Sequence, residues 1–452
     1  MSLAVKSTSI LKRDIFLYSM RIVTNVIIAR KLGPEMLGVS TILSLIPSYA
    51  ESFGRMKFDI AAVYFLGKQK YQMGEMVLTL NMLALATSGI IVAVILWQFE
   101  WIYRLIFDKT DYDATLLMYF ILLQIPLQFL LMNYTYLIIH REDVVTYNRM
   151  VVINALVTSV LAAALLFLFD LNLWAVVGSS MLGTLLSLAY GMFGLGSTGN
   201  RGKLINVSLI RDLFHYSFKL YTGGLISHFQ IYITNLLTAL YLMPAQVAFF
   251  SMARGYGQMM DQVPAALNTI LLPRLIKTVA TDEAAKLVAR AFRLILVLLS
   301  VVGAVAMALI HPVVQLMYGK AFLPMVVPFL ILIPGIIGSG AITPFMQFFL
   351  SINRADLGVI LPIPSLAVQV VLAFVMIPLY GPVGASIAFS TGLLVFSLSS
   401  IWMFLRLSNS TLSDDLMIRR EDIIYLWHFS TAEFYKILHT IKIKRIQPTH
   451  VE

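Results

Sequence analysis

The residues with chemistry to offer are charged and amide side chains inside apolar runs. Arg21 lies in the middle of one such run and Asn25 follows one helical turn later. Arg254, Gln258 and Asp261 share one face of a later run, and Glu51 and Arg55 stand one turn apart in a third. A charge at the centre of a membrane span costs about 2.5–3.5 kcal/mol on insertion scales, so such a residue faces a cavity or a partner. Arginine offers phosphate a planar, bidentate fork and stays ionised when partly desolvated. A cavity lined by Arg21 and Arg254 would therefore suit an anionic head group. The same residues also admit a structural reading, in which Arg21 or Arg254 pairs with Asp261 or Glu51, and Glu51 pairs with Arg55. Residue types and spacing leave both readings open.

The elements that must position these groups are membrane helices. Of 452 residues, 59% are apolar and only 12% charged, with a mean hydropathy of +0.85. A soluble domain carries about 25% charged residues, so this composition cannot coat a soluble globule. Runs long enough to cross about 30 Å of hydrocarbon fall at 12–30, 37–54, 76–98, 115–139, 150–169, 173–195, 213–241, 246–273, 291–311, 323–350, 356–378 and 383–405. The fold expected is an all-α polytopic membrane protein with about twelve transmembrane helices. No cleavable signal peptide is evident, so the first apolar helix is read as retained.

The net charge of +10 is read through its placement, as orientation in a membrane, and not as a nucleic-acid surface. With the N-terminus in the cytoplasm, inner segments hold 26 Lys and Arg, whereas outer loops hold five: Arg30, Lys31, Arg104, Lys109 and Lys320. That asymmetry puts both termini in the cytoplasm. An internal echo divides the chain. Arg13-Asp14-Ile15-Phe16-Leu17-Tyr18-Ser19 opens the first span, and Arg211-Asp212-Leu213-Phe214-His215-Tyr216-Ser217 opens the seventh. The expected organisation is a six-helix bundle over 1–195, a cytoplasmic linker over 196–212, a second bundle over 213–405 and a basic amphipathic tail over 406–452. Two halves in parallel orientation are a common transporter plan, with the substrate between them. Proline and glycine crowd the tenth span (Pro328, Pro334, Gly335, Gly338, Gly340, Pro344), where kinks or breaks are expected.

Enzyme motifs are sparse. There is no HExxH, GxSxG or Walker A, and with no cysteine there is no thiolate metal site. Gly194-Leu195-Gly196-Ser197-Thr198-Gly199 fits GxGxxG but lacks the strand–helix context of dinucleotide binding, and reads as linker. No cofactor or metal is called for. Asp111-Tyr112-Asp113 is a DxD in an outer loop, the one feature that would suit a membrane glycosyltransferase or polymerase. His228 is the one histidine well inside a span, placed to hydrogen bond between helices or to carry a proton.

Four motifs then resemble a known family. Ile28-Ala29-Arg30-Lys31-Leu32-Gly33-Pro34-Glu35-Met36-Leu37-Gly38 resembles the signature between the first two helices of polysaccharide (Wzx-type) flippases, members of the multidrug/oligosaccharidyl-lipid/polysaccharide exporter superfamily. Leu242-Met243-Pro244 through Phe250-Ser251-Met252-Ala253, Leu271-Leu272-Pro273-Arg274-Leu275, and Tyr380-Gly381-Pro382-Val383-Gly384-Ala385-Ser386-Ile387-Ala388 resemble the family's second-half motifs, in the same order. The resemblance covers nearly all of residues 10–405.

It implies two six-helix bundles around a central cationic cavity and alternating access. It also implies a lipid-pyrophosphate-linked oligosaccharide as substrate, moved from the inner to the outer leaflet of the cell membrane. Arg21 and Arg254 fall where related flippases place cavity arginines, and would hold the pyrophosphate. Asn25, Gln258 and Asn235 would contact sugar hydroxyls, and Asp261 or Glu51 would answer a coupling cation. Many relatives carry an Asp-Arg or Asp-Lys pair in the seventh helix where this chain reads Ile233-Thr234-Asn235, a departure that weakens any coupling role there. Partners would be membrane lipids and other polysaccharide biosynthesis proteins. A cation-coupled exporter of small amphiphiles in the same superfamily is the alternative.

Overall fold

Two Gly-Pro pairs set the first and last pairs of spans. In the computed structural model, which describes residues 3–110, 112–196, 206–262, 264–265, 271, 275, 281–408 and 416–417, helix α1 runs from Leu3 to Gly54. Its one non-helical residue is Gly33, at φ 72° and ψ 176°. That conformation is closed to residues with a Cβ, and Pro34 then starts the next helix with its φ already set. The expected spans 12–30 and 37–54 are thus joined by a single residue. The same device recurs in the last helix, Pro362–Ser408, which breaks only at Gly381 (φ 59°, ψ −132°) before Pro382.

Every regular element among the described residues is helical. After α1 come α2 (Phe58–Gly67), α3 (Met73–Trp97), α4 (Phe99–Phe107), α5 (Thr115–His140), α6 (Val144–Leu168) and α7 (Asn172–Leu195). Next are α8 (Val207–Tyr241), α9 (Pro244–Gln258), α10 (Thr281–Met317), α11 (Val326–Ala341), α12 (Thr343–Ser351), α13 (Leu357–Ile360) and α14 (Pro362–Ser408). The expected all-α polytopic fold is what is found. Seven described segments are long and apolar enough to cross a bilayer. Helices α1 and α8 carry too many polar residues to reach that measure, and α9 is short. Those three helices are the ones that hold Arg21, Asn25, Glu51, Asn235 and Arg254.

The proline-rich tenth span breaks as expected. It divides into a 3₁₀ turn at Lys320–Met325, α11 and α12. Two stretches expected as connections differ. The segment 55–75 holds the apolar helix α2, whose ten residues are too short to read as a span. Within 196–212, helix α8 already begins at Val207, while 197–205 lie outside the described residues. Most of the 406–452 tail also lies outside them.

Packing divides the chain into two compact units. One draws on 1–254, 310–329 and 369–388, the other on 255–309, 330–368 and 389–452. In the first, α6 packs on α7, α5 on α7, and α1 on α5 and α6. Its buried amides bond between helices: Asn133 Nδ2 donates to the Leu80 carbonyl at 3.0 Å and Gln124 Nε2 to Ser180 Oγ at 2.9 Å. In hydrocarbon, where no water competes, such contacts and close backbone approach replace the hydrophobic drive between helices. In the second unit, Gly335 lets α11 approach α14 so closely that a Cβ would lie 2.8 Å from the Ser390 carbonyl oxygen, and the Ser390 hydroxyl accepts from the Gly335 N–H at 3.1 Å.

The tightest approach of the first unit involves Gly38, the last glycine of the first motif. A Cβ there would collide with the Pro244 carbonyl group, at the start of α9. Gly38→Ala is therefore expected to cost about 1–3 kcal/mol, as overpacking does, and to lower the thermal unfolding midpoint of the purified protein. Gly67→Ala, where an added Cβ meets nothing, is expected to leave it within error or raise it slightly.

Candidate functional site

The most clearly defined polar constellation lies where α1 ends and α2 begins. Gly54 closes α1, and Met56 and Lys57 then adopt left-handed backbone (φ 51° and 58°) before α2 starts at Phe58. This one-turn break places Arg55 between two carboxylates. Its Nη1 donates to Glu51 Oε1 at 2.7 Å, and its Nη2 donates to Asp59 Oδ2 at 2.7 Å. Asp59 is 1% exposed, Arg55 16% and Glu51 27%. The fork geometry of guanidinium allows one side chain to hold both acids. Asp59 also sits in the first turn of α2, where the helix dipole favours an anion. The Tyr136 ring of α5 lies 5.9 Å from the guanidinium carbon. Arg55 Nε and Asp59 Oδ1 are buried with no hydrogen bond.

Helix α8 closes over this turn. Lys57 Nζ donates to the Leu220 carbonyl at 3.4 Å, Ser217 Oγ donates to the Lys57 carbonyl at 3.4 Å, and Tyr221 Oη donates to the Phe53 carbonyl at 2.9 Å. Aromatic rings extend the contact. Tyr49 meets Tyr232 edge-on at 5.3 Å and donates to its carbonyl at 3.0 Å, and Phe53 lies 5.0 Å from Phe229. The echo sequence that opens α8 does structural duty here. Asp212 accepts from Lys70 Nζ at 2.5 Å and from Tyr71 Oη at 2.6 Å, bonds that hold its carboxyl below the usual range, and Tyr216 stacks on Tyr64 at 4.3 Å.

The other candidate residues are placed as follows. Arg21 and Asn25 are one turn apart on α1 and both are exposed. Arg254, on α9, is buried at 4% exposure, within electrostatic reach of the Tyr49 phenol. Asn235, on α8, is half-buried, and its Oδ1 is buried with no hydrogen bond. Thr234, next to it in sequence, accepts through its hydroxyl from Gln369 Nε2, which also donates to the Gln230 carbonyl, each at 2.8 Å. Gln258 and Asp261 belong to the second unit and are exposed, Asp261 in a 3₁₀ turn.

Of the readings open for Glu51 and Arg55, mutual pairing is the one the geometry realises. Glu51, Arg55 and Asp59 repeat at four-residue spacing, but Asp59 lies past the apolar run that ends at residue 54, so the span pattern alone does not group it with the other two. Tyr49, Tyr136 and Tyr232 carried no signal that separated them from other apolar-face aromatics. Of the DxD, Asp111 lies outside the described residues. Asp113 is engaged in starting α5: its Oδ1 accepts from the Thr115 N–H at 2.9 Å and from Tyr103 Oη at 3.2 Å. Bonds from Thr115 first and Tyr103 second hold its carboxyl below the ordinary range.

The described residues form apolar helices with charged residues on the more polar of them, which is the makeup of a polytopic membrane protein, and solved structures share the fold. The chain is similar to an inward-facing multidrug resistance MATE family transporter of the MOP superfamily (TM-score 0.71, 14% identity, covering 87% of this chain and 94% of that one). It is similar to the lipid II flippase MurJ in an inward closed conformation (TM-score 0.71, 12% identity, 93% and 92%). It is also similar to the Vibrio cholerae MATE transporter VcmN in its bent form (TM-score 0.55, 13% identity, 90% and 98%). No curated protein matches the chain. Residues 27–327 match the polysaccharide biosynthesis protein family, and the chain belongs to it. The resemblance read from the four motifs is borne out.

The triad yields a stability test. Arg55→Met alone leaves two carboxylates beside each other and is expected to destabilise by on the order of 3 kcal/mol, the cost of breaking a buried pair. The triple variant Glu51→Gln, Arg55→Met, Asp59→Asn removes all three charges and is expected to recover most of that loss. Thermal midpoints of the two variants in one detergent decide it.

Proposed function

We propose that the chain is a flippase that moves a lipid-pyrophosphate-linked oligosaccharide from the inner to the outer leaflet, by alternating access, for cell-surface polysaccharide synthesis. Family membership supports the polysaccharide pathway. The observation that carries the substrate assignment is Arg254, a guanidinium 4% exposed on a helix otherwise fit for lipid or protein surroundings. A buried arginine on α9 and an exposed arginine on α1 offer planar forks to a pyrophosphate. In this reading Arg21 and Arg254 hold the pyrophosphate, and Asn25, Gln258 and Asn235 contact sugar hydroxyls. Glu51 and Arg55 form the ion pair described above, and Asp261 serves as a coupling or pairing carboxylate. The lipid tail stays in the bilayer.

The same reading places the protein in the cell membrane with both termini in the cytoplasm, following the charge asymmetry. The two halves, 1–195 and 213–405, would alternate about the 196–212 segment, with the 406–452 tail on the inner leaflet. Membrane lipids and polysaccharide biosynthesis proteins are the partners expected.

Replacing Arg21 or Arg254 with Ala is expected to abolish surface glycan export at normal protein levels, with at least about a tenfold loss for each lost charge-assisted contact. Arg254→Lys is expected to retain part of it. Normal export by both alanine variants would remove the cavity assignment. Loss of drug tolerance with surface glycan intact in cells lacking the protein would instead select the small-amphiphile exporter.

A further inference from the structure

Two basic residues of the outer loops leave the first half of the chain and end on helix termini of the second half. Helix α10 finishes at Met317, and its last carbonyls lack intrahelical partners, as at every helix end. The Tyr318 and Gly319 N–H groups turn back onto Val314 and Gln315, which satisfies those two carbonyls. The next two belong to Leu316 and Met317, and Arg30 takes both. Its Nε donates to the Met317 carbonyl at 2.6 Å and its Nη2 donates to the Leu316 carbonyl. Helix α8 ends in the same way. Leu242 N–H turns back onto Thr238, and Lys109, just past α4, donates to the Leu240 carbonyl at 2.5 Å.

Both cations sit at the negative ends of helix dipoles, where positive charge is favoured. Neighbouring contacts close the same region. Gly38 lies against the Pro244 carbonyl with no room for a side chain. Phe249 of α9 meets Phe322 edge-on at 6.4 Å, and Phe322 is 1% exposed. Lys31, next to Arg30, points elsewhere, to Asp170 at 2.8 Å in the α6–α7 turn. Adjacent residues therefore tie the Gly33 turn to both halves of the sequence. All of these contacts lie within the first compact unit.

We propose that Arg30 and Lys109 form an outer latch, which seals the outer mouth by capping the carboxyl ends of α10 and α8 and releases when the mouth opens. This rests on the alternating-access reading above. The chemistry suits a latch. Arg30 and Lys109 are both exposed to solvent, and exposed charge contacts are weak enough to break in each cycle. Arg30, the arginine of the first motif, is thereby assigned to the closed state of the mouth and not to cargo.

The chain has no cysteine, so one introduced thiol is the only one present. Ala248, one turn below Pro244, is 0% exposed. In proteoliposomes, Ala248→Cys is labelled with a membrane-impermeant maleimide added to the outer face, with the exposed Met243→Cys setting the ceiling. Labelling is expected to be slow in the native background and to rise about tenfold when Arg30→Gln and Lys109→Gln remove both caps. Arg30→Lys is expected to restore part of the protection, and labelling from the inner face is expected not to change. Equal outer labelling with and without the caps would overturn the latch. A rise from both faces without recovery by Arg30→Lys would assign the effect to lost folding, and would also overturn it. No cargo is present in the assay, so its outcome is independent of the Arg21 and Arg254 export results.

Discussion

Hydrocarbon offers no hydrogen bond, and every polar group placed in it must find a partner in the protein or a water-filled cavity. The Glu51–Arg55–Asp59 triad answers that constraint by pairing one guanidinium with two carboxylates around a one-turn helix break, and leaves only Arg55 Nε and Asp59 Oδ1 of its buried polar atoms without a bond. Hydroxyls meet it locally, as Thr24 does by donating to the Met20 carbonyl and Ser386 to the Pro382 carbonyl. Amides meet it between helices, as Gln369 does against α8. The helices left most polar are α1, α8 and α9.

Close approach of backbones is the second constraint, and glycine is its instrument. Gly38 and Gly335 are positions where a side chain would strike another helix's backbone. Gly33 and Gly381 act differently, through conformations that need the absence of a Cβ. The first motif therefore contains two glycines with different physical work. One makes the turn and the other brings the following helix against the start of α9. Between them, the proline at position 34 fixes where the second helix begins.

Features with a signature in residue type were legible in the sequence. Long apolar runs mark the spans, Gly33-Pro34 and Gly381-Pro382 fall between expected spans, and the proline cluster marks the breaks around α11. Features that rest on backbone atoms were not. A carbonyl at Leu316 or Leu240 has no mark in the sequence, so Arg30 and Lys109 were counted only as loop charges. Helix α2 was hidden because ten residues, apolar but for Asp59 and set between basic ones, look like a connection. Asp59 was hidden with it, although its spacing from Arg55 was there to see. Residue types single out Arg21 and Arg254 as candidates, whereas burial, which separates the two, needed the fold.

The central question is whether this chain moves a pyrophosphate-linked glycan lipid across a bilayer. The direct measurement is reconstitution of the unmodified protein in liposomes carrying a fluorescent polyprenyl-pyrophosphate oligosaccharide, with leaflet exposure read by an impermeant quencher. For a flippase, exchange between leaflets is expected to exceed that of protein-free liposomes by orders of magnitude. Exchange no faster than in protein-free liposomes, from a preparation that does transport a small cationic amphiphile, would contradict it.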